Sequence, residues 1–187
     1  EAVLSGVGIM RIFDALNDER NLQIPILTTK AYGGVVEAAL SYTTSPVHTT
    51  QYFVDFAKKL EAGGADQIAI KDMAGLLYST DALDLIKGLK QSVSLPLALH
   101  SHTTTGVGEL NAVIALQQGV DFIDTAITPF AGGTSHPPVE IMIVFAEEMG
   151  IDHGLDKALI LQAQAELFKI VDELKSVIPQ YGKYYRP

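Results

Sequence analysis

Four short apolar runs in this chain end at one fixed interval. They close at Phe13, Tyr42, Lys71 and His100, each 29 residues after the one before. A strand, a helix and two short loops add up to about this length, so the period reads as a repeated β/α unit. The runs cover residues 8–13, 35–42, 67–71, 95–100 and 122–127, the fifth after a slightly shorter unit. Between them lie segments of helical period. Residues 49–62 carry Tyr52, Phe53, Phe56 and Leu60 on one stripe, with Gly63 as a stop. Residues 80–91 bury Ala82, Ile86 and Leu89 behind a Ser79 or Thr80 cap, and residues 108–118 repeat the pattern with Leu110, Val113, Ile114 and Leu116 before Gly119. Residues 138–148 read as the next helix, with Pro138 at its start after a Ser135 cap. Two strand starts are alike: Gly64-Ala65-Asp66 and Gly119-Val120-Asp121.

The run Gln67-Ile-Ala-Ile-Lys71 has no clean in/out alternation, which suits a parallel sheet covered on both faces. The class is α/β, and two architectures compete within it, a doubly wound open sheet and a (β/α)8 barrel. No G-x-G-x-x-G opens a helix, so the dinucleotide fingerprint is missing. Polar residues cluster just past the carboxyl ends of successive strands, where a barrel concentrates its chemistry. Five units are present, three fewer than a barrel needs. The expectation is a partial TIM (β/α)8 barrel over residues 1–153, then the start of a helical extension over residues 154–187, with the chain cut at both ends. In that extension residues 155–178 form a helix with Leu155, Leu159, Leu167, Val171 and Leu174 on one side.

Composition narrows the function classes. A hydrophobic share of 48% with 19% charged residues excludes disorder. No apolar run approaches the roughly 20 residues of a spanning helix, so direct membrane insertion is not expected. A net charge of −9 argues against nucleic acid, which is bound through dense Lys and Arg. The absence of cysteine excludes a disulfide scaffold, a thiolate zinc site and a cysteine nucleophile, and suits the reducing cytoplasm.

Three stretches carry candidate chemistry. His100 and His102, two apart on an extended segment, project from the same face and can converge on one ion. An isolated H-x-H is as often a pair of ordinary histidines. The loop Thr103-Thr-Thr-Gly106 that follows offers hydroxyls and backbone N–H groups at a helix N-terminus, which favours an anionic ligand. Lys71 ends a hydrophobic strand one unit earlier. Its bland reading is a snorkelling lysine or a partner for Asp72. An ammonium beside an imidazole pair would repel a cation, so the position makes sense if the amine is neutral or is converted by carbon dioxide into a carbamate. The third stretch, 128–138, holds Gly132, Gly133, Thr134 and His136. His136 is a ligand by type, with loop structure as its expected role, and His48 and His153 read as surface residues.

Arg11-Ile-Phe-Asp14-Ala-Leu-Asn17-Asp18, Glu37-Ala-Ala-Leu-Ser-Tyr42-Thr43, Lys71-Asp-Met-Ala-Gly75, His100-Ser-His102 and Gly133-Thr134-Ser135-His136-Pro137 together resemble, in order, successive motifs of the biotin-dependent carboxyltransferases. Within that family the likeness is to the oxaloacetate decarboxylase α subunit and the separate carboxyltransferase subunit of pyruvate carboxylase. The resemblance implies an N-carboxylated Lys71 that binds a divalent metal (zinc, cobalt or manganese) with His100 and His102. Thr134 would relay a proton between the biotin ring nitrogen and the methyl carbon of pyruvate. Carboxyl transfer between oxaloacetate and pyruvate would then pass through an enolpyruvate, with biotin carried on another domain or subunit. It also implies a homo-oligomer in a multi-subunit complex, cytoplasmic or tied to a membrane through partner subunits. Arg11 lies in the fourth-strand motif and is not the family's substrate arginine. That arginine and a metal-binding aspartate fall outside this chain, so the chain alone is expected to turn over little. Two other readings remain at this point. One is an acyl-CoA lyase or synthase of the related metal-dependent barrel type, which shares the histidine pair and lacks the lysine; the other is a non-catalytic assembly segment.

Overall fold

The computed structural model describes residues 1–174 and residue 177. Five strands alternate with helices. They run β1 (Ile9–Ile12), α1 (Glu19–Ala31), β2 (Val35–Ser41), α2 (Thr50–Ala62), β3 (Gln67–Asp72), α3 (Ser79–Ser92), β4 (Leu97–Ser101), α4 (Gly108–Gln117), β5 (Phe122–Ile123), α5 (Val139–Glu148) and α6 (Lys157–Leu174). All pairings are parallel and the strand order is β1-β2-β3-β4-β5. This order decides between the two architectures. A doubly wound sheet reverses its winding at a switch point, whereas strict sequential order keeps every crossover on one side and builds a barrel wall.

The two faces of the sheet confirm it. Val36, Ala38, Leu40, Ile68, Ile70, Leu97 and Leu99 point outward into one core with Leu22 and Ile26 of α1, Phe53, Phe56 and Leu60 of α2, Leu85, Ile86 and Leu89 of α3, Ala112 and Ala115 of α4 and Met142 of α5. Helices thus cover a single face. The opposite face carries a separate cluster of three fully buried alanines, Ala39, Ala69 and Ala98. Around them lie Glu37, Gln67, Lys71 and His100, two positions before or after in their strands, and Arg11, level with Glu37 on β1, so the polar side chains share the concave face.

Local chemistry differs from the sequence expectation at several ends. α1 has a weak apolar pattern and an internal Pro25, and its start is set by Asp18, whose carboxylate accepts from the Arg20 N–H. α3 begins after Tyr78 and α5 after Pro138, neither with a side-chain cap, so the expected Ser79 or Thr80 and Ser135 caps are not used. β5 is only two residues long. α6 begins at Lys157 and buries none of its residues; the last positions of the expected 155–178 helix, residues 175, 176 and 178, lie outside the described residues.

The paired Gly-x-Asp motifs have a physical role. Asp66 accepts a hydrogen bond from the Val36 N–H at 2.9 Å and Asp121 accepts one from the Leu97 N–H, also at 2.9 Å. Each carboxylate thus satisfies an N–H at the start of the preceding strand and ties it to the start of the next. Each also meets a helix lysine, Lys30 at 2.6 Å and Lys90 at 3.6 Å.

The Lys30 hydrogen bond, and then the Val36 N–H, hold the Asp66 carboxyl below the usual carboxylate range. A group lowered in the folded state stabilises above its unfolded pKa of about 3.9 and loses that contribution as pH falls through the folded value. Urea midpoints taken at about pH 5 and about pH 3 should therefore fall less in Asp66→Asn than in the parent chain. Identical acid limbs would contradict the pinning role.

Candidate functional site

The concave face is organised by one arginine. Arg11 projects from β1, bonds Glu37 on β2 through Nε, and reaches Asp124, which directly follows β5, through its terminal nitrogens. In a flat sheet those strands would stand four spacings, about 19 Å, apart. An arginine side chain spans roughly 7 Å by standard bond lengths. The ion pair therefore exists only because the sheet curls. Glu37 also accepts from Gln67 at 2.9 Å, so both carboxylates on this face are partnered.

Asp124 passes this order on to the histidines. Its Oδ2 lies 2.6 Å from His100 Nδ1. Burial pushes the Asp124 carboxyl up, but hydrogen bonds from His100 and Arg11 outweigh it and hold it well below the usual carboxylate range. A carboxylate only accepts, so Nδ1 carries the proton. The 2.9 Å approach of Arg11 Nη1 to the same nitrogen is then a contact between two donors, both directed at Asp124. In the neutral ring this leaves Nε2 with its lone pair, 3.4 Å from Lys71 Nζ.

His102 is set in the same way. Its Nδ1 donates to the backbone carbonyl of Thr134 at 2.6 Å. The His102 backbone is pressed between two glycines. A Cβ on Gly75 would stand 3.1 Å from the His102 carbonyl oxygen, and one on Gly108 would stand 2.6 Å from Thr103 Cγ2. Gly75 also adopts φ +67°, a left-handed conformation that favours glycine. Two of the three hydroxyls of the Thr-rich loop are used within the fold and not held open for a ligand as expected. Thr103 donates to the Gly133 carbonyl and Thr105 to the Gly75 carbonyl, tying neighbouring loops together.

Lys71 is 9% exposed, its ammonium 4.7 Å from the centre of the Phe13 ring. Burial, and then the positive charge of Arg11, push its amine below the ordinary lysine value. Asp72 is not its partner. That carboxylate is fully buried on the other face and accepts from the Leu76 and Leu77 N–H groups, shaping the loop after β3. The four sequence-derived residues meet at one end of the wall: Lys71, His100 and His102 directly, and Thr134 through its carbonyl with its side chain exposed.

Sequence reasoning missed Asp124, and it names His136 as a ligand by type only, with loop structure as its expected role. Asp124 lies on the inward parity of β5, two residues after Phe122, a signal that was readable. His136 sits in the loop before α5, yet its ring centre is 4.3 Å from that of His100 and 4.6 Å from that of His102. Among the described residues, His100, His102 and His136 are the group able to hold a metal ion, with one ligand atom from each within 4.8 Å of the others. His48 packs against Tyr52 and Phe53, and His153 pairs with Glu147, both away from this cluster.

The HMGL-like family model matches residues 27–167. A pyruvate carboxylase subunit of Methanocaldococcus jannaschii is 44% identical over 171 residues, covering 91% of this chain and 30% of that protein. The 2-oxoglutarate carboxylase large subunit of Hydrogenobacter thermophilus is 35% identical over 187 residues, 99% of this chain and 27% of that protein. Among solved structures, the carboxyl transferase domain of Rhizobium etli pyruvate carboxylase with pyruvate and biocytin aligns with a TM-score of 0.86 and 31% identity, over 98% of this chain and 31% of that one. The chain therefore spans under a third of the length of these relatives.

Arg11→Met leaves Glu37 and Asp124 without their cation. A fully buried pair would cost about 3–5 kcal/mol when broken; Arg11 keeps about a quarter of its side chain in water, so about 2 kcal/mol is expected from urea unfolding. A loss near zero would contradict its bridging role.

Proposed function

The chain belongs to the HMGL-like family, and from that premise we propose that it supplies the metal-binding wall of a biotin-dependent carboxyltransferase acting on pyruvate and oxaloacetate. The observation that carries this reading is the charge balance of the concave face. Arg11 and Lys71 offset Glu37 and Asp124, so the face is neutral with Lys71 as an ammonium. If the lowered amine loses its proton and its nitrogen bonds to the carbon of carbon dioxide, the face carries two negative charges in excess, the number a divalent cation cancels. The donor set fits such an ion: a carbamate oxygen from Lys71 and the Nε2 atoms of His100 and His102, each ring turned by an acceptor behind it. Two imidazoles with an oxygen ligand suit zinc, cobalt or manganese.

When bound, the metal supplies a Lewis acid that polarises the 2-oxo group of pyruvate. The chain's own residues do the rest. Asp124 and Thr134 fix the imidazole rings. Arg11 keeps positive charge beside the Lys71 carbamate and the developing enolate. The Thr134 hydroxyl takes a proton from the substrate methyl carbon and hands its own to the ring nitrogen of biotin, as the new carbon–carbon bond forms and the nitrogen–carbon bond breaks. Its exposure is consistent with biotin arriving on a carrier from another domain or subunit. Among the described residues no helix is long and apolar enough to cross a membrane, and the lack of cysteine fits work in the cytoplasm. An acyl-CoA lyase would give a buried, charge-depressed Lys71 no task.

Two measurements test this reading. In carbon-13 bicarbonate with zinc present, NMR should show one carbamate carbon that is missing in Lys71→Ala. In the assembled enzyme, Thr134→Ala should lower biotin-dependent label exchange between oxaloacetate and pyruvate by about 10²-fold or more, with zinc content unchanged. Exchange at the parent rate would overturn the assignment of Thr134.

A further inference from the structure

We propose that His136 is a third imidazole ligand of this metal centre, so that metal occupancy fastens the loop carrying Thr134 onto β4. The inference rests on the metal-binding reading of the concave face and adds a ligand which that reading does not contain.

The tautomers of the three rings point the same way. His136 Nδ1 lies 3.1 Å from the backbone carbonyl of Ser101, which can only accept, so Nδ1 is the protonated nitrogen and Nε2 holds the lone pair. The same assignment holds for His100 against Asp124 and for His102 against the Thr134 carbonyl. Three rings therefore each have an acceptor behind Nδ1 and a lone pair on Nε2. That is the arrangement of metal-binding histidines, in which a carboxylate or carbonyl behind the ring sets its orientation and basicity. A histidine serving only loop structure has no reason to share it with two ligands 4.3 and 4.6 Å away, ring centre to ring centre.

The locks are reciprocal. Ser101, the residue between His100 and His102 on β4, orients the ring of the loop histidine. Thr134, two residues before His136, orients the ring of the strand histidine. Further bonds hold the loop to the strand: the Thr103 N–H to the Ser135 carbonyl at 2.9 Å and the Thr103 hydroxyl to the Gly133 carbonyl at 2.8 Å. One ring nitrogen from each of the three histidines lies within 4.8 Å of the others. His136 would thus add an imidazole from the loop to the two at the end of β4, and the Thr134 backbone would be held close to the ion.

The test uses the 187-residue chain with zinc and cobalt as probes. Zinc added to nitrogen-15-histidine-labelled chain should shift the Nε2 resonances of three of its five histidines. Three shifted rings support the proposal without relying on a variant; two overturn it. His136→Gln should weaken zinc affinity by about tenfold or more against a competing chelator and change the visible spectrum of the cobalt form. Free imidazole should restore the parent spectrum in His136→Ala. Zinc affinity within about threefold of the parent, with an unchanged cobalt spectrum, would overturn the inference while leaving the His100–His102 site standing. A parent chain that takes up no zinc at all would overturn the metal reading and this inference with it.

Discussion

The Arg11 bridge between Glu37 and Asp124 sets the terms for the rest of this structure. It joins the first strand to the segment following the last, a contact that a flat sheet forbids. The curled wall in turn allows side chains from β3, β4 and the β5 end to point at one region. Three fully buried alanines, Ala39, Ala69 and Ala98, keep the inward layer small on this face. Outward-facing Ile, Leu and Val supply the apolar burial that offsets the cost of these ionic groups, and the helices stay on their side of the sheet.

From that bridge order passes to the chemistry by short steps. Arg11 holds Asp124, Asp124 turns the His100 ring, and the Nε2 of that ring faces Lys71. The loop before α5 turns the His102 ring through a carbonyl and receives, in exchange, a carbonyl for its own His136. Functional groups are therefore fixed by backbone acceptors and by one carboxylate, with little dependence on long flexible contacts. The proposed carbamate on Lys71 fits this scheme, since it would turn a buried cation beside the His100 ring into an anion.

Much of this was legible in the sequence, for identifiable reasons. A period of 29 residues fixes the strands because chain length per β/α unit is a geometric quantity, and it placed four strand ends to within one residue. The H-x-H pair was legible because strand parity alone puts two side chains on one face. Asp124 and Arg11 were harder. Parity places them inward, but no local rule says that residues 113 apart will meet. His136 was read as a loop residue because its neighbours Gly132, Gly133 and Pro137 describe a turn, and sequence does not say where a turn folds back to. α1 left little trace, since Pro25 interrupts its pattern. The engagement of Thr103 and Thr105 is not legible either, because free hydroxyls and hydroxyls bonded to the Gly133 and Gly75 carbonyls look the same in a sequence.

The chemistry proposed for the concave face depends on one ion, bound through nitrogens that Asp124 and two backbone carbonyls have already turned. Diffraction from zinc-soaked crystals at the zinc edge tests this most directly. An anomalous peak about 2.0–2.1 Å from the Nε2 atoms of His100, His102 and His136, with extra density on Lys71 Nζ, is the result predicted. A peak elsewhere, or rings flipped so that Nδ1 faces the ion and the contacts to Asp124 and Thr134 are lost, would contradict it.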